Sequence, residues 1–380
     1  MASALLFTSS NAVSDASDGQ QTVSDYPKGT IVDDPYSIPK QDINDMLLHI
    51  QAGIQQDKKQ KAVSAYATNS LNDNRAASGI YDYIVIDSDY VYSYEEAPNQ
   101  QPTLDIQKAP TDVSVYDPSV AEDTYNNVES VNTDTYYNLD HTYADPNMLS
   151  SSLAAQSSFQ IADGIGGRQT IQRAGGYLST LLQLPKDSEV QQEESAYNYS
   201  GFSSGAYEAD MGLVYDSSVG FYSNRKGWKP TMTIKRNSTV ASNSNMVAGY
   251  NDVQFRNAYA SDSNVVLYVW YNYNGKARMK ITGTAICTDR ACTSEQNTSL
   301  TTIIETDSSS LNISKVDKWK LLSTVVSNQN HGRNKATYSS IKIDNTLVPS
   351  SAFDSPQTEA ATITRDFSGN NNKVTITVSG

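Results

Sequence analysis

Two carboxylates, Glu208 and Asp210, stand two residues apart in the run G-A-Y-E-A-D-M-G-L-V-Y. Side chains of an extended chain alternate between faces, so Tyr207, Ala209, Met211, Leu213 and Tyr215 share one side. Glu208, Asp210, Gly212 and Val214 share the other. The spacing predicts a half-buried strand with a carboxylate pair on the face away from the core. Such a pair can work in glycoside cleavage, contact a ligand or a calcium ion, or stand solvated or ion-paired.

A second candidate set lies around Asn274-Gly275, a two-residue loop between alternating runs and the strongest short-range signal for a hairpin. Val265, Leu267, Val269, Tyr271 and Tyr273 form one face of the first run. Ala277, Met279 and Ile281 form the matching face of the return run. If these make core, Tyr268, Trp270, Arg278 and Lys280 share the opposite face, which is expected to line one groove together with Glu208 and Asp210. Aromatic rings flanked by hydrogen-bond donors suit pyranose sugars, whose C–H faces pack on π-faces while the hydroxyls take hydrogen bonds. The competing reading buries Trp270 beneath a loop or a second sheet. Trp228 and Trp319 read as structural.

Cys287 and Cys292 enclose T-D-R-A and read as a short-loop disulfide if the protein is exported. A zinc site needs about four ligands, and His49, His141 and His331 are scattered. No G-x-S-x-G occurs, which argues against a Ser-His-Asp hydrolase. D-G-I-G-G-R, ending at Arg168, reads as a turn. Two acidic groups (Asp82, Asp87, Asp89; Asp117, Glu122, Asp123) could hold Ca²⁺. Neither has the EF-hand spacing, so solvated acidic runs are favoured and no cofactor is expected.

The elements that must position these residues divide unevenly. Of the 380 residues, 1–155 carry 23 Asp/Glu against 7 Lys/Arg, while the rest is nearly neutral and holds all three Trp. The acidic excess, −14 overall, argues against general nucleic-acid binding. No apolar run reaches the ~18–20 residues that span a membrane. Residues 1–12 resemble the end of a secretory signal, which suggests an extracellular protein. Residues 13–155 read as an acidic, Tyr-rich arm, extended and partly disordered. It contains one amphipathic helix over 41–61, where Ile43, Met46, Leu47, Ile50 and Ile54 make one stripe. From 156 to 380, short strands at regular spacing predict an all-β, jelly-roll-type antiparallel sandwich.

Several segments carry a resemblance: I-A-D-G-I-G-G-R-Q (161–169), E-S-A-Y-N-Y-S-G-F-S-S-G-A-Y-E-A-D-M-G-L-V-Y (194–215), G-W-K-P (227–230) and K-W-K-L-L-S-T-V (318–325). These resemble the YrpD family of secreted Bacillus proteins over about 156–380, which implies export and a β-sandwich but no reaction. More loosely the domain is similar to concanavalin A-like lectin and glucanase sandwiches. Retaining glucanases of that group carry E-x-D with a further Glu nearby on the strand. Here Gly212, Leu213 and Val214 occupy the places that would supply it, so the acid/base is missing. The expectation is a non-catalytic protein binding a glycan or another cell-envelope polymer. Assembly through β-augmentation by the arm, giving a homo-oligomer, and polysaccharide hydrolysis or lysis are the alternatives.

Overall fold

The computed structural model describes residues 26–68, 79–108 apart from 88, 164–192, 195–219 apart from 206, 225–237, 244–250, 257–287, 298–306, 313–327, 329–368 and 372–380. Residues 1–12, the acidic group at Asp117, Glu122 and Asp123, and Cys292 lie outside these.

The N-terminal part supplies β1 (Ile31–Asp33), α1 (Lys40–Thr68), β2 (Ile80–Ile86), β3 (Tyr90–Glu96) and β4 (Thr103–Lys108). Then come β5 (Gly164–Ile171), β6 (Tyr177–Gln183), β7 (Ser195–Ser204), β8 (Tyr207–Val219), β9 (Arg225–Asn237) and β10 (Ser244–Tyr250). The hairpin is β11 (Asn264–Tyr273) and β12 (Lys276–Thr284), followed by β13 (Ser299–Thr306), β14 (Lys318–Val326) and β15 (Arg333–Ile343). The chain ends with β16 (Thr346–Leu347), β17 (Gln357–Glu359), β18 (Ala361–Asp366) and β19 (Lys373–Ser379).

These strands make an all-β sandwich. A 12-stranded sheet runs β1-β4-β3-β2-β13-β12-β11-β6-β15-β19-β18, with β16 on β15, against a 7-stranded sheet ordered β10-β9-β8-β7-β14-β5-β17. The pairings are antiparallel except β1 with β4 and β2 with β13. Between the sheets lies one core that includes Leu267, Val269, Met279 and Ile281 from one side and Ala209, Met211, Leu213, Trp228 and Trp319 from the other. Asn274 and Gly275 both have positive φ, 54° and 85°, as a tight hairpin turn requires.

Two expectations are corrected. D-G-I-G-G-R is not a turn, because Gly164–Ile171 is strand β5 between β14 and β17. A Cβ on Gly167 would lie 2.7 Å from Ile376 of the facing sheet, so its glycine serves close packing of the two layers.

The N-terminal region, expected as an extended arm, also behaves differently over its described part. Strands β2, β3, β4 and β1 continue the larger sheet, with β2 in parallel register on β13 from Ile80↔Leu300 to Ile86↔Thr306. Ile80, Ile84 and Ile86 face the sandwich core, while Tyr81, Tyr83 and Val85 face α1. Burial on both faces explains why this run lacks a clean polar alternation.

Helix α1 runs beyond the expected 41–61 at both ends. Ile43, Leu47, Ile50 and Ile54 are buried against Tyr81, Tyr83, Tyr92, Tyr94, Leu104, Ile106 and Ile303. Each contributes about 1.5–3 kcal/mol. At Gly53 a Cβ would meet the Tyr83 ring at 2.6 Å, so glycine lets the helix sit directly on that ring.

Candidate functional site

The outer face of the 12-stranded sheet carries an aromatic strip beside α1. Strand alternation sends Tyr268 and Trp270 of β11 outward, since Leu267 and Val269 are core. Their rings are nearly parallel, 13° apart with centroids at 5.4 Å. Register places Tyr177 of β6 opposite Trp270, and the two rings lie 5.4 Å apart. The β11–β12 register shifts between Trp270 and Tyr273, and this bulge breaks the alternation that would group Tyr273 with the core set. Tyr273 instead joins the strip, 5.7 Å from Trp270 and nearly perpendicular to it. All four rings are partly exposed.

Arg278 and Lys280 flank these rings, and both are also ion-paired. The Arg278 guanidinium lies 4.2 Å from the Tyr273 centroid and 5.6 Å from that of Trp270. It also pairs with the buried Glu305 at 3.2 Å. Lys280 lies 4.6 Å from the Tyr268 centroid and 2.8 Å from Asp57 of α1. These cations therefore hold the rings in place through cation–π contacts and tie the strip to the helix.

Their anionic partners stay ionised. Burial pushes the Asp57 carboxyl up, but Lys280 and Lys61 more than offset it and leave it below the usual carboxylate range. Glu305 is likewise pushed up by burial and brought below its ordinary value by the His49 hydrogen bond and the Arg278 charge. His49 reaches Glu305 at 2.9 Å.

Glu208 and Asp210 lie elsewhere. Ala209, Met211 and Leu213 face the core, so the two carboxylates stand on the outer face of the 7-stranded sheet. The whole sandwich separates them from Trp270. Lys320 of β14 reaches both, 2.6 Å from Glu208 and 2.9 Å from Asp210. Burial lowers the Lys320 pKa, but Asp210 and then Glu208 raise it by more, so its ammonium stays charged. Burial pushes the Glu208 carboxyl up further than Lys320 pulls it down, leaving it above its ordinary value. The three charges form a closely paired and largely buried triad.

Cys287 is fully buried beside Asn257, whose amide donates to the Cys287 carbonyl at 2.9 Å. Among the described residues, no group of three or more His, Cys, Asp or Glu side chains converges to hold a metal.

Sequence alternation thus identifies the strip's Tyr268, Trp270, Arg278 and Lys280 as one surface. It does not reveal Tyr177, which arrives through strand pairing, or Tyr273, which arrives through a bulge. Lys320 is 112 residues from Glu208 in sequence, and no local pattern links them.

The chain is 29% identical over 198 residues to the Bacillus subtilis protein "Uncharacterized protein YrpD", a match covering 51% of this chain and 75% of that one. Among solved structures it is similar to scytalido-glutamic peptidase bound to a transition state analog inhibitor. There identity is 6%, coverage is 56% of this chain and 97% of the other, and the TM-score is 0.31. SCP-B, a peptidase of the Eqolisin family in complex with a tripeptide, gives 9% identity over the same shares, with a TM-score of 0.32. The family model described as "Domain of unknown function, YrpD" matches residues 158–378, well over half of the sequence, and the chain belongs to the YrpD family.

Proposed function

We propose that this protein is a non-catalytic binding protein that works outside the cell and holds a polysaccharide or other cell-envelope polymer against the Tyr177–Tyr268–Trp270–Tyr273 strip. The observation that carries this reading is the near-parallel Tyr268–Trp270 pair, partly exposed and braced by Lys280 and Arg278. Rings held in one orientation can stack several sugar rings at little further cost in side-chain entropy. The Glu208–Lys320–Asp210 triad favours a structural role for the carboxylates over a catalytic one, since each is already ion-paired.

Affinity electrophoresis through gels containing different soluble polysaccharides and cell-wall glycans tests this. The wild type should be retarded by at least one polymer, and Tyr268→Ala/Trp270→Ala should run freely. Equal retardation of both proteins would assign binding to another surface.

Export goes with a Cys287–Cys292 disulfide in this reading, supported by the burial of Cys287. Thiol titration of the unreduced, denatured protein should find no free thiol, and two reactive thiols per chain would contradict it.

A further inference from the structure

A cavity of about 650 Å³ opens at the other end of α1, walled by the segment 36–39, the first two turns of the helix and the β2–β3 turn. Its size falls within the roughly 300–1,000 Å³ of small-molecule sites. Its walls are acidic and aromatic: Asp42 and Asp45 from the helix, Asp87 and Asp89 from the turn, and the Tyr36, Tyr90 and Tyr92 rings. A helix N-terminus alone presents positive potential. Asp42 and Asp45, both exposed, reverse that sign here.

The basic side chains at the rim, His49 and Lys276, are drawn toward Glu305, at 2.9 and 3.9 Å. Asp87 is held in place by the N–H groups of Asp89 and Tyr90, which donate to its Oδ1 at 2.7 and 2.5 Å.

Two further observations point to a cationic ligand. Tyr92 is only 5% exposed and lines the cavity, yet its hydroxyl has no hydrogen-bond partner among the described residues. Its phenol is also held well above the usual range by burial and then by surrounding groups that include the Asp87, Asp42 and Asp34 carboxylates. In addition, the chain already seats an ammonium on these rings: Lys108 Nζ lies 4.4 Å from the Tyr90 centroid and 5.5 Å from that of Tyr36. The tyrosine rings of this wall thus already take an ammonium by cation–π contact.

We propose that this cavity binds an organic cation bearing alkylammonium groups, of the size of a polyamine. The carboxylates supply charge, the tyrosine faces supply cation–π contact, and the Tyr92 hydroxyl accepts a hydrogen bond from an ammonium N–H.

Isothermal titration of the full chain with spermidine at physiological ionic strength tests the proposal, with fully acetylated spermidine as the uncharged control. Saturable one-to-one binding of spermidine and none of the acetylated form is expected. Asp42→Asn/Asp45→Asn should weaken binding by about tenfold or more. Asp262→Asn/Asp366→Asn, which removes two exposed carboxylates elsewhere, should change it by less than about twofold. The absence of saturable binding to the wild type would overturn the proposal. Equal weakening by the two double variants would also overturn it, reducing the effect to general attraction by an acidic protein.

Discussion

At the residue scale, a few side chains are fixed by partners far along the chain. Lys320 is 3% exposed and sits between Glu208 and Asp210. Removing one member of a buried ion pair leaves an uncompensated charge and costs about 3–5 kcal/mol. Lys320→Met should lower stability by that much, read from the midpoint of urea unfolding. Adding Glu208→Gln and Asp210→Asn should recover a good part of it, because the stranded charges are then gone. A Lys320→Met protein as stable as wild type would show that the triad is solvated.

The outward direction of Glu208 and Asp210 is legible from the alternation of Ala209, Met211 and Leu213, since side-chain direction in a strand is a local property. Their confinement by Lys320 is not, because that pairing depends on β7 lying between β8 and β14.

At the element scale, α1 is clamped to the sheet through ionised groups as well as through its apolar stripe. Asp57, Glu96 and Glu305 all sit below their ordinary values. In each case burial pushes the carboxyl up, and the paired cations or hydrogen bonds bring it down by more. A depressed carboxyl pKa stabilises the fold above the unfolded-state value and ceases to do so as pH falls through the folded-state value. The clamp's contribution should therefore be complete at neutral pH and decline once pH drops below the ordinary values, 3.8 for Asp and 4.5 for Glu.

Urea midpoints at pH 7 and pH 3.5 check this. The wild type should lose more stability on acidification than Asp57→Asn/Glu305→Gln, which should already be weaker at pH 7. Equal losses in both would remove these groups from the acid response. Gly53→Val should cost about 1–3 kcal/mol through overpacking against Tyr83, measured the same way.

The helix is readable from Ile43, Leu47, Ile50 and Ile54 because its stripe has a clear helical period. Its docking site is not, since the Tyr-rich β2 and β3 show β propensity without showing which sheet they extend. The parallel β2–β13 pairing joins residues more than 200 positions apart, and no local spacing specifies it.

At the scale of the whole molecule, the two-layer sandwich follows from many short alternating strands and tight turns such as Asn274-Gly275. Alternation separates core-facing from outward-facing residues within each strand, but it does not tell which layer a strand enters. Glu208 and Trp270 are both outward, and they lie on opposite outsides of the sandwich because β8 and β11 belong to different sheets. The strip is therefore assembled from β6, β11 and β12 alone, with α1 bracing it through Asp57.

The layering also isolates one optical probe. Trp228 and Trp319 are fully buried in the core, and Trp270 alone of the three tryptophans is partly exposed. Intrinsic tryptophan fluorescence, followed during titration with the polysaccharide that retards the protein in a gel, thus reports on the strip directly. A saturable change in Trp270 emission is expected, and Trp270→Phe should abolish the change. An unaltered spectrum at saturating ligand, or a change that persists in Trp270→Phe, would contradict a glycan site on this strip.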